Sequence, residues 1–293
     1  MLAFFVKLIF YVVRLIPVRL TGAIGAGLGR IAFFLVKRHR NIALHNLRRV
    51  YPHKNPAWHK ATALASFAEL GRTTFEMPHV FLRSREYLKS RIEIDGAEEV
   101  QQAISAGRGV IFVGFHFSNW ELGAQALSLS GFPCSQIYRP LRQKPLEEML
   151  SHWRERFGNK LHSRDESIRW IPKTLKQGGV LALLADQHLS NGVPVPFLGH
   201  LAKSTIMPAV YARKYDTPVF SGILHRIGHG FHFHFELRQI DFPEASDNVD
   251  QDLCDFTEAT YANYAEAIHQ RPELWLWVHR RWLYLDEQEE DRK

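Results

Sequence analysis

Apolar residues follow two regimes along the chain. Up to about residue 90 they recur at helical spacing, as in "NIALHNLRRVY" and "WHKATALASFAELGRTTFEMPHVFLR". From residue 91 short apolar runs alternate with amphipathic stretches. "RIEIDG", "GVIFVGF", "CSQIYRP", "VLALLAD", "TPVFSGILHRI" and "GFHFHFELRQI" predict strands. Between them "AEEVQQAISAG", "NWELGAQALSLSG", "PLEEMLSHWRERFG", "SIRWIPKTLKQGG" and "STIMPAVYARKYD" predict helices, several closed by glycine. A last helix is expected from "DLCDFTEATYANYAEAIHQ" through "RPELWLWVHRRW", followed by a frayed charged tail, "DEQEEDRK". Strands alternating with helices define an α/β fold: one domain with a central mixed or largely parallel sheet flanked by helices.

The N-terminus is denser in apolar residues than the rest. "MLAFFVKLIFYVVRLIP" is interrupted by Lys7 and Arg14, and "LTGAIGAGLGRIAFFLV" covers residues 20–36. Neither run reaches the about 18 uninterrupted apolar residues of a spanning helix. Charges inside the apolar stretch and the lack of a clean small-residue cleavage site argue against a signal peptide. Three readings stay open: a marginal span within residues 17–37, an amphipathic or re-entrant anchor in the membrane interface, or a soluble helix packed on the core. Lys37, Arg38, Arg40, Arg48 and Arg49 follow directly, which by the positive-inside bias keeps the remainder cytoplasmic. The expected division is a membrane-anchoring helical segment, 1–38, and a catalytic domain, 39–293. Glycines 22, 25, 27 and 29 faintly resemble a dinucleotide loop. Without a preceding strand they instead mark close helix packing.

Charge narrows the partners. The chain of 293 residues carries a formal net charge of +7, favouring nucleic acid, anionic lipid, phosphorylated substrates or an acidic carrier protein. No nucleic-acid module accompanies the basic residues. Two cysteines, Cys134 and Cys254, exclude a disulfide framework and a cysteine metal cluster, and fit a reducing compartment.

One stretch combines pattern and chemistry. "GVIFVGFHFSNWELGAQAL" ends a buried strand in His116 and places Glu121 five residues on. On one helix the two would lie about 140° apart. A turn through Phe117 and Ser118, with the helix starting near Asn119, lets the carboxylate swing back to the imidazole. A carboxylate holding one ring nitrogen leaves the other as a base for deprotonating a hydroxyl that attacks an acyl group. With 16 histidines the spacing alone arises by chance, and a polar helix-capping turn would look the same. The position at a strand's carboxyl end, where α/β sheets bind ligands, gives it weight.

A competing constellation is "HRIGHGFHFHFEL". On a strand His232, His234 and Glu236 share one face, with His225 and His229 nearby. That pattern suits either a metal site or a half-exposed edge strand with a polar face. A non-enzymatic membrane-surface or metal-binding protein is the corresponding alternative class.

"GFHFSNWELGA" resembles the His-x4-Asp/Glu motif of bacterial acyltransferases that modify glycerolipids, and its "H-x-x-N-W-E" form resembles the lipid A late acyltransferase family. Four further segments agree in order: "RNIALHNLRRVYP", "IYRPLRQKPLEEMLSHWRERFGNKL", "GGVLALLADQHLSNGVPVPFLGHLAKST" and "PELWLWVHRRW". The resemblance implies a glycerolipid-acyltransferase-like fold and an O-acyltransferase at the bacterial inner membrane, with its catalytic domain on the cytoplasmic face. The acyl donor would be an acyl carrier protein thioester and the acceptor a phosphorylated glycolipid, with no cofactor and no metal. Acyl-coenzyme A as donor and another glycolipid or phospholipid as acceptor stay open. Carried over by position, His116 would be the base and Glu121 its orienter. Arg139, Asn119, Asp186 and Gln187 would line the substrate cleft. Arg281, beside Arg280, would meet anionic head groups or support the fold. Trp275, Trp277 and Trp282 suit a membrane interface or a core. Ser118 stands where many family members have glycine, which puts the turn's backbone in question.

Overall fold

The computed structural model describes residues 2–291. Five helices come first: α1 (Leu2–Leu15), α2 (Val18–Leu35), α3 (Lys37–Val50), α4 (Pro56–Leu82) and α5 (Arg85–Lys89). The alternating region follows as β1 (Ile92–Asp95), α6 (Ala97–Ser105), β2 (Val110–Gly114), α7 (Trp120–Leu129), β3 (Cys134–Tyr138), α8 (Lys144–Glu155) and β4 (Lys160–Ser163). It continues through α9 (Trp170–Lys176), β5 (Val180–Leu184), β6 (Val193–Phe197), β7 (His200–Ser204), α10 (Met207–Tyr215), β8 (Val219–Arg226) and β9 (Phe233–Gln239). The chain closes with α11 (Val249–Gln270), a 3-10 turn (Pro272–Leu274) and α12 (Leu283–Asp291).

The expected α/β architecture is present. Seven strands form one sheet in the order β1-β9-β8-β2-β5-β3-β4. Every neighbouring pair is parallel except β8–β9. Buried on both faces, β2 reads as a continuous apolar run, as central parallel strands do. Its alternate residues feed two cores. Ile111 and Val113 join Leu181, Val219, Ile223 and Tyr264 on one side. Val110 and Phe112 join Leu122, Phe220, Leu224 and Phe235 on the other.

Several boundaries differ from the sequence reading. β4 and the β6–β7 hairpin were not anticipated, because "KLHS" is short and half-exposed and "VPVPF" holds two prolines. The last long helix stops at Gln270 rather than running on to Trp282. Pro272 lacks an N–H and restricts the residue before it, so the helix cannot continue. The "DEQEED" part of the tail lies in α12 rather than being frayed, and Arg292 and Lys293 lie outside the described residues.

Glycines 22, 25 and 29 form the face by which α2 meets α4. A Cβ at Gly25 would strike the Gly71 carbonyl, and one at Gly29 the Phe67 carbonyl, whereas Gly27 faces open space. Close packing, not nucleotide binding, explains the pattern. Opposite that stripe, Leu20, Ile24, Leu28, Ile31, Phe34 and Leu35 are exposed, as are Phe4, Phe5, Leu8, Ile9 and Leu15 on α1. Among the described residues, Val18–Leu35 is the one helix long and apolar enough to cross a membrane. Its mean hydropathy is 1.4, and 33% of it is buried.

Candidate active site

Strand register builds the site. β2 pairs with β5 so that Gly114 faces Leu184, and Ala185 N–H donates to the Gly114 carbonyl at 2.9 Å. Two residues beyond each partner stand His116 and Asp186, side by side at adjoining strand ends. His116 Nδ1 lies 2.8 Å from Asp186 Oδ1, and the His116 backbone N–H donates to Asp186 Oδ2 at 2.9 Å. The Trp275 indole donates to the same Oδ2 at 2.8 Å. An ionised carboxylate only accepts, so the imidazole carries its proton on Nδ1 and turns the Nε2 lone pair to the cleft. There the Gln187 amide stands 3.4 Å away.

The turn bearing His116 is clamped by the C-terminal segment. Leu276 N–H donates to the His116 carbonyl, Ser118 N–H donates to Leu274, and Phe117 forms a bridge with Trp275. Asn46 on α3 donates twice at 2.8 Å, to the carbonyls of Trp277 and His279, and so holds that segment in turn. Trp275, Trp277 and Trp282 are all buried. They form core, not a membrane belt.

Ser118 takes φ +53, in the left-handed region. Its hydroxyl is buried without a hydrogen-bond partner. Its carbonyl accepts from Thr73 of α4 at 3.2 Å.

The structure reassigns two of the expected partnerships. Glu121 does not hold His116. It sits in the first turn of α7 and is gripped by Arg154 of α8, whose Nη2 and Nε lie 2.5 and 3.1 Å from its two oxygens. A fork-shaped guanidinium satisfies both oxygens at once, which the imidazole cannot. Glu121 still acts on His116 by charge. Asp186, expected to line the cleft, is buried and is the imidazole's direct partner.

Two expected substrate contacts are structural instead. Asn119 is fully buried. Its Oδ1 caps α7 by accepting from Leu122 N–H at 3.1 Å, and its amide donates to Glu76 at 2.9 Å. Arg281 is also fully buried, bonded to the carbonyls of Gln187 and Lys203 and to the Ser204 hydroxyl. Arg139 and Gln187 do line the cleft, while Arg280 reaches towards Asp286 at 3.8 Å.

Burial is the strongest influence on His116 and lowers its pKa. The Asp186 carboxylate, by charge and hydrogen bond, with Glu121 behind it, more than offsets this and raises the imidazole above its ordinary value. Burial likewise pushes Asp186 up, but His116 and the hydrogen bonds to its oxygens bring it below the usual carboxylate range. His279 is the contrast. Burial takes it down to about 4, so it stays neutral and accepts the His188 N–H at 2.8 Å.

The cleft holds about 760 Å³. Below His116 an apolar arm runs between α7 and the sheet, past Phe112, Ala124, Leu127, Leu224 and Phe235. Gly123 leaves room there, whereas a Cβ at Gly222 would press on the Phe235 ring at 3.1 Å. A Cβ at Gly123 would meet only Leu224, at 3.8 Å. The polar groups gather at the mouth.

The second histidine group does not converge. His232 Nε2 meets Arg91 at 2.8 Å, His234 meets Asp95 at 2.6 Å, and Glu236 is held by Arg238 and His225. Among the described residues no three His, Cys, Asp or Glu side chains are placed to hold a metal. The polar face of a half-exposed strand accounts for it, but β9 is paired on both sides, by β1 and β8, and is not the expected edge strand.

The sequence reading missed Arg154, Glu76 and Arg226. Glu76 and Arg226 form a buried bidentate pair at 2.8 Å, 150 residues apart, and no local pattern connects them. Arg154 lies within one of the segments that carried the resemblance, but nothing there pointed to Glu121.

Fold and site together define an α/β enzyme in which a strand-end imidazole, fixed by a carboxylate, opens on an apolar cleft. The chain belongs to the bacterial lipid A biosynthesis acyltransferase family, whose pattern matches residues 1–284, and it is an acyltransferase. It is 28% identical over 200 residues to a lipid A biosynthesis acyltransferase of Haemophilus influenzae, covering 67% of this chain and 61% of that one. It is 25% identical to the lipid A biosynthesis lauroyltransferase of Escherichia coli, covering 93% of this chain and 88% of the relative. It also resembles a phosphatidylinositol mannoside acyltransferase of Mycobacterium tuberculosis, at 23% identity over 75% of this chain and 69% of the relative.

Proposed function

We propose that the protein is a membrane-associated O-acyltransferase that moves a fatty acyl chain from an acyl carrier protein thioester to a hydroxyl of a lipid A precursor. The observation that carries this reading is the His116–Asp186 pair at 2.8 Å, with Nε2 open to an apolar cleft. In this mechanism Nε2 takes the proton of the acceptor hydroxyl as its oxygen attacks the thioester carbonyl. The Gln187 amide beside Nε2 is a donor for the oxyanion that forms. The intermediate collapses by breaking the C–S bond, and the departing thiolate takes the proton back from the imidazolium. Transfer is direct, so no acyl-enzyme forms at Ser118, whose buried hydroxyl has no base bonded to it.

The apolar arm under α7 suits the acyl chain. Arg139 at the mouth suits a phosphate of the acceptor. Residues 1–38 act as the anchor: the outer faces of α1 and α2 are apolar, and basic residues follow them. These features support a domain that works at the cytoplasmic face of the inner membrane.

The test is incubation of the purified protein with acyl carrier protein thioesters or acyl-coenzyme A. Lipid A precursors and phosphatidylinositol mannosides are offered separately, and the products are read by mass spectrometry. An acyl gain on the lipid A precursor supports the reading. Gain only on the mannoside, or only from coenzyme A, replaces the acceptor or the donor.

A further inference from the structure

Outside α1 and α2 few large hydrophobic side chains are exposed, and three of them sit at the carboxyl ends of neighbouring strands. Leu141 follows β3, Ile168 follows β4 and Leu184 ends β5, at 42%, 55% and 41% exposure. β3 and β4 pair with Tyr138 opposite Ser163, and Arg164 N–H donates to the Tyr138 carbonyl at 2.9 Å. The loops 139–143 and 164–169 therefore stand together as one rim of the cleft, and Arg139, Arg164 and Ile168 line its opening.

The first loop is a built feature. Glu147 turns inward, accepting from Leu141 N–H at 2.6 Å and from the Ser151 hydroxyl at 2.7 Å, yet the Leu141 side chain stays outside. Cations are interleaved with the apolar residues. Among the described residues Arg139, Arg142, Lys144 and Arg169 have no acidic partner. The nearby anions are partly engaged. Asp165 lies 3.7 Å from Arg164, and Glu166 folds back on Ser163 N–H and His162. Exposed aliphatic residues set among unpaired cations are what an anionic lipid surface binds, through apolar insertion plus attraction to head groups.

We infer that this cleft rim, Leu141 and Ile168 with Arg142, Lys144 and Arg169, is a second membrane-docking surface, distinct from α1 and α2, that seats the cleft mouth on an anionic bilayer. A lipid acceptor then enters the cleft from the bilayer without crossing water. An acidic carrier protein would also answer to the cations. The exposed Leu141 and Ile168 side chains favour hydrocarbon. The inference rests on the reading of the cleft as a lipid site.

The test labels Leu141→Cys with an environment-sensitive fluorophore in the full chain, in a Cys254→Ala background. Leu8→Cys on α1 and Gln101→Cys on α6, which packs against β2 and β9 away from the β3–β4 rim, are the comparison positions. With phosphatidylglycerol vesicles the labels at 141 and 8 should shift to the blue and that at 101 should not. A shift at 8 without one at 141 overturns the inference, and so does a shift at 141 on adding carrier protein but not vesicles. Because this readout needs no turnover, either failure leaves the proposed reaction standing. Kinetics give a second measure. In Leu141→Ser/Arg142→Gln/Arg169→Gln each lost cation costs about fivefold in affinity for an anionic surface. KM for a vesicle-borne acceptor should then rise on the order of 20-fold, while turnover in detergent micelles is unchanged. Equal losses in both media would also overturn it.

Discussion

His116 and Asp186, 70 residues apart in sequence, meet at 2.8 Å because β2 and β5 are neighbours in register. The carboxylate is fixed three ways, by the imidazole, by the His116 backbone and by the Trp275 indole. Asp186→Asn keeps the shape but removes the acceptor that selects the Nδ1–H tautomer. It should lower kcat by about 10³- to 10⁴-fold with little change in KM, matching His116→Ala within an order of magnitude. Steady-state kinetics with far-ultraviolet circular dichroism checks both activity and fold. Near-wild-type turnover in Asp186→Asn would remove it from the mechanism.

Glu121→Gln should cost less, about 10- to 100-fold, because it acts on His116 by charge and through the placement of Arg154 rather than by contact. Arg154→Met with Glu121→Gln should recover part of that loss, since the guanidinium is no longer left without its anion. A double-mutant cycle on kcat/KM reads the coupling.

The rate should depend on pH with a known sign. The imidazolium cannot accept a proton, and His116 is held above its ordinary value by Asp186 and Glu121 against burial. The acidic limb of kcat/KM should therefore lie above about pH 6.5, the unperturbed histidine value. Glu121→Gln, which removes one carboxylate, should move that limb to lower pH. The pair's contribution to stability runs the other way. For a raised histidine it is full below the unfolded-state pKa and is lost as pH rises through the folded one. A profile of kcat/KM against pH for both proteins settles the direction.

Ser118→Gly should stabilise the protein. At φ +53 a side chain costs about 1 kcal/mol, and the buried hydroxyl without a partner adds to that. Thermal unfolding in detergent should show a rise of a few degrees with acyl transfer retained. A fall in Tm would mean that the hydroxyl has a partner in solution.

Glu76→Ala should be destabilising, by about 3 kcal/mol, because it strips buried Arg226 of its bidentate anion and leaves it only the Glu69 carboxylate at 3.2 Å. Denaturant unfolding measures this. Glu76→Gln with Arg226→Met should be far milder, since it leaves no unpaired charge.

Apolar periodicity along the chain fixes the alternation of elements and therefore the sheet, because it reports which faces of a strand or helix are buried. It also marked His116, since a polar residue ending a buried apolar run is a local signal. The glycine face of α2 was legible for the same reason: small residues at helical spacing announce a close neighbour. Long-range pairing has no such local signal and follows from how the elements pack. Glu121 was the nearest carboxylate along the chain, but strand register brought Asp186 to the imidazole, and Arg154 drew Glu121 away. Asn119, expected in the cleft, and Arg281, expected at head groups or in support of the fold, are both buried among the groups they bond. A polar residue in a motif has the same letter whether it faces a substrate or satisfies a buried backbone. Which of the two it does depends on what packs against it, and that is set by residues tens or hundreds of positions away.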